Sequence, residues 1–351
     1  MLRVAWPGSP QHIQNCREAA LDIVDLPTSG RWRALFVHKL HAVPVPLYGG
    51  ALALLGLSLL VPFTWPWTQP LVSLALVRWA GILALLGALA VHGTKAWLTP
   101  AAFHQDMDHV GTSPFFGQIG VALALLSESL HGSRPDLADA ALLGSAILAV
   151  LCLANAARLI LLRRPSWRDA SPAWLLPPIQ CLYLGLLAGD KFDTGGTLAL
   201  TVGGLTALAA SVCLIARLWR GPSLPAPARP ALTTFVAIPS VLLLAVLQQA
   251  DPHRAVLYLA AAATLLGFVA ALMSLPLALG QRFKVSWWAY GMPLSAAALA
   301  FNALASHRGA NPWLLAAAQT ASWCCVLITA ALSLLSLAAI HRFFFQSSSR
   351  P

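Results

Sequence analysis

Ten stretches of about 20 apolar residues, joined by short polar connections, fill most of this chain: 44–63, 70–93, 114–131, 139–162, 174–190, 196–218, 231–249, 254–279, 286–306 and 313–340. About twenty residues is the length a helix needs to cross the hydrocarbon core of a bilayer. Backbone polar groups in lipid must bond within their own segment, so such stretches are expected to be helices. Composition closes the other routes. Only 10% of the 351 residues are charged, 58% are hydrophobic and the mean hydropathy is +0.72. A soluble domain carries about 25% charged residues, and a disordered chain is less apolar still. The expectation is an all-α integral membrane protein of ten transmembrane helices. Residues 1–40 form a cytoplasmic segment with room for a short amphipathic helix, 41–340 the transport domain and 341–351 a cytoplasmic tail.

The net charge of +10 and pI of about 9.9 would suit a nucleic-acid partner, but basic residues also hold loops on the inner side of a membrane. With both ends inside, 17 of the 22 Lys and Arg fall on the inner side and five (Arg78, Arg134, Lys191, Arg254 and Arg308) on the outer. That bias predicts a plasma-membrane or bacterial inner-membrane location with both termini cytoplasmic, and no nucleic acid. Trp65, Trp67, Trp167, Trp174, Trp219, Trp287, Trp288 and Trp313 lie near span ends, where an interfacial aromatic belt is expected. The six cysteines have no CxxC spacing and read as small packed hydrophobes. The first 26 residues lack an apolar core long enough for a signal peptide.

Prolines mark the odd spans. Taking Pro46, Pro114, Pro178, Pro239 and Pro293 as equivalents, the spacings are 68, 64, 61 and 54 residues, a hairpin-sized period repeated five times. An interior proline removes an i to i−4 hydrogen bond, and the freed carbonyl needs protein or water around it. Five helical hairpins around a central pore follow, with Pro-kinked odd helices inside and smoother even helices outside.

Four segments carry a family resemblance. KVSWWAYGMPLSAAALA (284–300) resembles the ninth-helix signature of the tellurite-resistance/dicarboxylate transporter family. This family takes in bacterial tellurite-resistance permeases, fungal malate and sulfite transporters and plant slow-type anion channels. PAWLLPPIQCLYLGLLAG (172–189), ARPALTTFVAIPSV (228–241) and FHQDMDHVGTSPFF (103–116) are similar to its fifth-helix start, seventh-helix start and the acidic–His loop before its third helix. The resemblance implies ten helices in five hairpins, a pore in each protomer of a homotrimer, and passage of small inorganic or organic anions without ATP. No GxxxxGK[ST] phosphate loop is present, and neither enzymatic activity nor a cofactor is expected.

The resemblance also implies a Phe plug just before the ninth-helix proline, where this chain has Met292. A flexible apolar Met forms a dry constriction but no rigid aromatic face, so the gate candidates are Met292, Phe115, Phe116, Tyr48 and Phe235. Pore polarity is expected from Gln118, Ser127, Gln180, Tyr183, Thr233, Thr234, Ser240, Ser295 and Asn302, some of which will instead bond between helices. Glu128 is an intramembrane acid that could couple protons to transport, or an exposed acid paired with Arg134. His104, Asp106, Asp108 and His109 have the residue types of a metal cluster, although their loop better suits capping and salt-bridge roles, and no metal is expected. Arg158 is expected to snorkel to the interface with Arg163 and Arg164. The leading reading is a channel-like anion permease gated near Met292. The alternatives are a proton-coupled organic-anion carrier using Glu128 and, more distantly, an intramembrane metalloenzyme.

Overall fold

The computed structural model describes residues 36–37, 40–41, 43–64, 70–188, 193–249, 252–279, 283–307 and 311–345. The expected N-terminal segment before 36, Trp65, Trp67 and the last six residues lie outside them. The chain divides into two units. One comprises Met1–Pro44 with Leu89–Gln105, the other Val45–Ala88 with Asp106–Pro351. In the smaller unit the ammonium of the buried Lys95 donates to the Val43 carbonyl at 2.9 Å.

Among the described residues, a helix lies on each of the ten apolar stretches: α1 Gly49–Thr64, α2 Pro70–Leu98, α3 Gly117–Leu130, α4 Pro135–Arg163, α5 Leu176–Ala188, α6 Asp193–Arg220, α7 Thr234–Leu247, α8 Arg254–Leu279, α9 Gly291–His307 and α10 Pro312–Phe345. A short helix, Pro100–Asp108, precedes α3. Among the described residues, seven helical segments are long and apolar enough to cross a membrane, or eight if Pro100–Asp108 and Ser113–Leu130 are one broken span. The chain is therefore a multi-pass, all-α membrane protein.

The odd helices are short because each begins late. A 3-10 turn comes first in every case: Val45–Tyr48, Ser113–Phe116, Pro172–Leu175, Ala226–Thr233 and Val285–Tyr290. Proline pre-sets φ for such starts and lacks an N–H that would go unbonded there anyway. The expected proline equivalence resolves accordingly into several different positions. Pro46 and Pro114 lie in the 3-10 turns, Pro178 and Pro293 in the first turn of α5 and α9, and Pro239 inside α7. Of the five, Pro239 alone removes a bond from the interior of its helix.

Within the larger unit the odd helices pack in a closed ring, α1 on α3, α3 on α5, α5 on α7, α7 on α9 and α9 back on α1. The even helices α4, α6, α8 and α10 each pair with the odd helix before them, and Gly81 of α2 lies against Leu55 of α1. Burial separates inner from outer: in an apolar 18-residue stretch of each, 67% is buried within Val45–Phe63 and 50% within Ala228–Leu247, against 17% within Leu74–Leu98 and within Thr194–Arg220. The outer helices expose large apolar side chains such as Leu151, Leu161, Leu208 and Leu266, as lipid-facing surfaces do. Where first and last repeats meet, the backbones touch: a Cβ on Gly291 would sit 2.1 Å from the Ala53 Cβ, and one on Gly56 2.3 Å from the Ser295 hydroxyl. A shared apolar core of Ala53, Leu57, Leu60, Phe268, Trp287, Trp288 and Leu294 seals this seam. Trp287 and Trp288 therefore depart from the expected aromatic belt and pack inward, whereas Trp219 and Trp313 stay more than 80% exposed at helix ends.

Candidate functional site: the cavity lined by the five odd repeats

Each odd repeat reaches one small cavity near the junction of its 3-10 turn and its helix. The lining residues are Gly49 and Leu52, Phe115 and Gln118, Ala173 and Leu176, Ala231 and Thr234, and Ala289 and Met292, with Trp288 and Pro293 beside the last pair. Every repeat thus contributes residues i and i+3, which lie on one face of a helix. The repeat is read from Leu52, Gln118, Leu176, Thr234 and Met292, at spacings of 66, 58, 58 and 58 residues. Its first layer is small (Gly49, Ala173, Ala231 and Ala289) except for Phe115. All five members of its second layer are buried, with Leu52, Gln118, Leu176, Thr234 and Met292 at most 5% exposed. The cavity holds about 20 Å³, room for about one water.

No lining residue is charged. The two polar members differ in how they are satisfied. The Thr234 hydroxyl donates to the Ala231 carbonyl at 2.6 Å. Gln118 is 5% exposed, and its Oε1 has no hydrogen-bond partner among the described residues. An orphaned buried amide oxygen costs about 1–3 kcal/mol.

The other expected residues fall elsewhere. Of the gate candidates, Met292 and Phe115 border the cavity, while Phe116, Phe235 and Tyr48 do not. The Tyr48 hydroxyl donates to the Ala88 carbonyl at 3.5 Å. Most of the polar candidates tie helices together or back-bond within one. Gln180 donates to the Ser145 carbonyl at 2.9 Å across α5 and α4, and fills the space that a Cβ on Gly120 would occupy. Ser240 back-bonds to the Val236 carbonyl, and Ser295 to that of Met292. Thr233 donates to the Ala289 carbonyl, and Asn302 to the Ser322 hydroxyl on α10. Ser127 is buried on α3, outside the cavity wall. Pro293 borders the cavity, while Pro114 and Pro178 border a separate apolar cavity with Leu153, Leu159 and Cys213. Glu128 is exposed near the far end of α3.

The HQDMDH segment has a structural task. Among the described residues no three His, Cys, Asp or Glu converge as a metal site. Arg158 pairs with Asp108, both side chains 44% exposed. It also donates through Nε to the Asn155 Oδ1 at 3.0 Å. Asn155 in turn holds the Met107 carbonyl at 3.1 Å and the Ser113 hydroxyl, and the Thr112 hydroxyl donates to the Asp106 carbonyl. The turn that delivers Phe115 to the cavity is thereby bolted to α4. The His109 Nδ1 accepts from Gly111 N–H at 3.1 Å. Burial pushes its pKa below the ordinary value, an effect that Asp106 partly offsets.

Sequence reasoning missed Leu52, Leu176 and the small first layer. No sequence signal marks them: Leu176, Thr234 and Met292 are 58 residues apart but share no residue type. No curated protein matches the chain at a significant level. The sequence pattern of the voltage-dependent anion channel family, SLAC1, matches residues 42–337, which contain every helix of the ring. With more than half of its length matched in this way, the chain belongs to the voltage-dependent anion channel family, a family of membrane anion transporters rather than enzymes.

Proposed function

We propose that the lumen of the five-helix ring is an anion pathway, held closed at Leu52, Gln118, Leu176, Thr234 and Met292. In this reading all ten helices cross the inner membrane, with both termini cytoplasmic, in a homotrimer that has one pathway per protomer. The observation that carries it is the cavity wall, to which each of the five repeats contributes one i, i+3 pair. A constriction contributed equally by every repeat of a ring lies on the axis of that ring. Flexible Met292 is the mobile member of the constriction, in the place where the family resemblance puts an aromatic plug.

Four further points support an anion. The lumen has no acidic side chain at its constriction. Helix starts carry the positive end of the backbone dipole, and five of them enter from one side. The basic residues Arg163, Arg217 and Arg220 lie in the last turns of α4 and α6, at that same end of their hairpins. An amide and a hydroxyl in an otherwise aliphatic ring bind weakly enough to release what they admit.

Few hydrogen bonds are on offer to offset dehydration, so weakly hydrated monovalent anions pass ahead of divalent dicarboxylates. The membrane potential contributes about 2.3 kcal/mol per charge per 100 mV, and an inside-negative potential drives export. Ion flux through the purified chain in a planar bilayer tests the proposal, with chloride, nitrate, sulfite and malate presented in turn. Anion-selective current that rises severalfold in Met292→Ala is the expected result. Silence in both proteins, with slow pH-dependent uptake into liposomes instead, overturns the channel reading.

A further inference from the structure

Tyr183 lies seven residues beyond Leu176 on α5, on the same face two turns deeper. The corresponding positions in the other repeats are Leu59, Leu125, Val241 and Leu299, so Tyr183 is the one polar side chain of that second level. It is buried, and its hydroxyl donates to the Met292 sulfur at 4.0 Å. Tyr183 belongs to α5 and Met292 to α9, and these helices are not neighbours in the ring: α7 separates them on one side, α1 and α3 on the other. A hydrogen bond between non-adjacent members of a closed ring spans its lumen.

We propose that this O–H···S contact is the latch of the constriction, and that on opening the Tyr183 hydroxyl becomes the donor that takes the permeating anion. A thioether is a weak acceptor, whereas a bond to an anion is charge-assisted and roughly twice as strong as a neutral one. Exchanging sulfur for an anion at the same hydroxyl gains a stronger bond that offsets part of the anion's dehydration, so the latch yields to the ion it admits. When Met292 swings aside it uncovers the one side-chain donor of the level beyond the ring. The donor that held the gate shut becomes a binding group, and no buried hydroxyl is left without a partner in either state. The inference rests on the pore reading above and adds to it a specificity-determining residue.

The latch can be broken from either end with little change of volume. Tyr183→Phe removes the donor and keeps the ring; Met292→Leu removes the acceptor and keeps an aliphatic side chain. The full-length protein is reconstituted in planar bilayers, with open probability and chloride/thiocyanate permeability ratios as readouts. Both variants are expected to raise open probability about twofold, less than the loss of an ordinary hydrogen bond would give, because the acceptor is weak. Tyr183→Phe alone is expected to shift the permeability ratio severalfold toward thiocyanate, which needs less help to shed its water. A merely structural tyrosine would not move that ratio while Met292→Leu left it unchanged. Parent-like gating and selectivity in Tyr183→Phe overturn the proposal, as does a ratio that follows Met292→Leu instead. No current in any variant, Met292→Ala included, overturns the pore reading itself and is distinguishable from both.

Discussion

Glycine in a membrane helix is tolerated or required according to what lies beside it, and Gly291 and Gly87 show the two cases. A Cβ on Gly291 meets the Ala53 Cβ at 2.1 Å and its backbone Cα at 3.1 Å, whereas one on Gly87 meets nothing within 4 Å. Gly291→Ala is therefore expected to lower stability by about 1–3 kcal/mol, the usual cost of overpacking. Gly87→Ala is expected to be neutral or to gain up to about 1 kcal/mol of helix propensity. Thermal melts in detergent check both, and equal shifts would contradict the seam between first and last repeats. His109 gives a second test at this scale. Its folded-state pKa lies below the ordinary 6.5, so the unfolded chain binds the proton more readily. Stability is fully present above about pH 6.5 and declines as pH falls through that value toward the lower folded-state pKa. His109→Asn keeps an acceptor for Gly111 N–H and is expected to flatten this acid slope in melts at pH 7.5 and 5.5. Glu128, exposed and away from the constriction, is expected to leave the pH dependence of anion flux unchanged as Glu128→Gln. A lost dependence would revive a proton-coupled carrier.

At the scale of elements, a shared design separates inner from outer helices: a 3-10 turn, then a short buried helix, then a long lipid-facing return. The turn before α3 depends on α4, because Asn155 bonds the Met107 carbonyl and the Ser113 hydroxyl two residues before Phe115. Asn155→Ala is expected to cost about 1–2 kcal/mol and to alter conduction through displaced Phe115. Asp108→Asn, which breaks a pair 44% exposed on both sides, is expected to cost under about 1 kcal/mol. Melts and bilayer currents of the two variants, measured together, separate the bolt from the surface charge.

For the whole molecule, the proposed topology makes a labelling prediction. Ser133, between α3 and α4, and Ser223, between α6 and α7, are exposed at opposite ends of their hairpins. With cysteine placed at each, a membrane-impermeant maleimide added to intact cells is expected to label position 133 and spare 223. Labelling of 223 alone would invert the orientation. The proposed trimer is checked by native mass spectrometry of the detergent-solubilised protein.

The sequence by itself determined the solvent, the helices and the family, because each depends on a local or additive property. Scarcity of charge excludes water as the only environment, runs of apolar residues set the ten helices, and GMPLS with its neighbours marks the ninth helix of a known family. It also brought Met292 and Phe115 forward as gate candidates, and both border the cavity shared by the five repeats. Only the tertiary structure decided which residues turn inward. An inner helix such as α9 is apolar on every side, so no periodic contrast marks its lumen face. Gln118 and Gln180 are chemically identical and sit in neighbouring inner helices. One faces the cavity and the other bridges to α4, because Gly120 leaves room for the Gln180 side chain on the flank of α3. The prolines suggested a repeat but blurred its register, since proline is accepted anywhere in a 3-10 start or first helical turn. The 58-residue register emerges only where side chains meet around one cavity, and the Tyr183–Met292 contact exists only because a closed ring brings two non-neighbouring helices face to face.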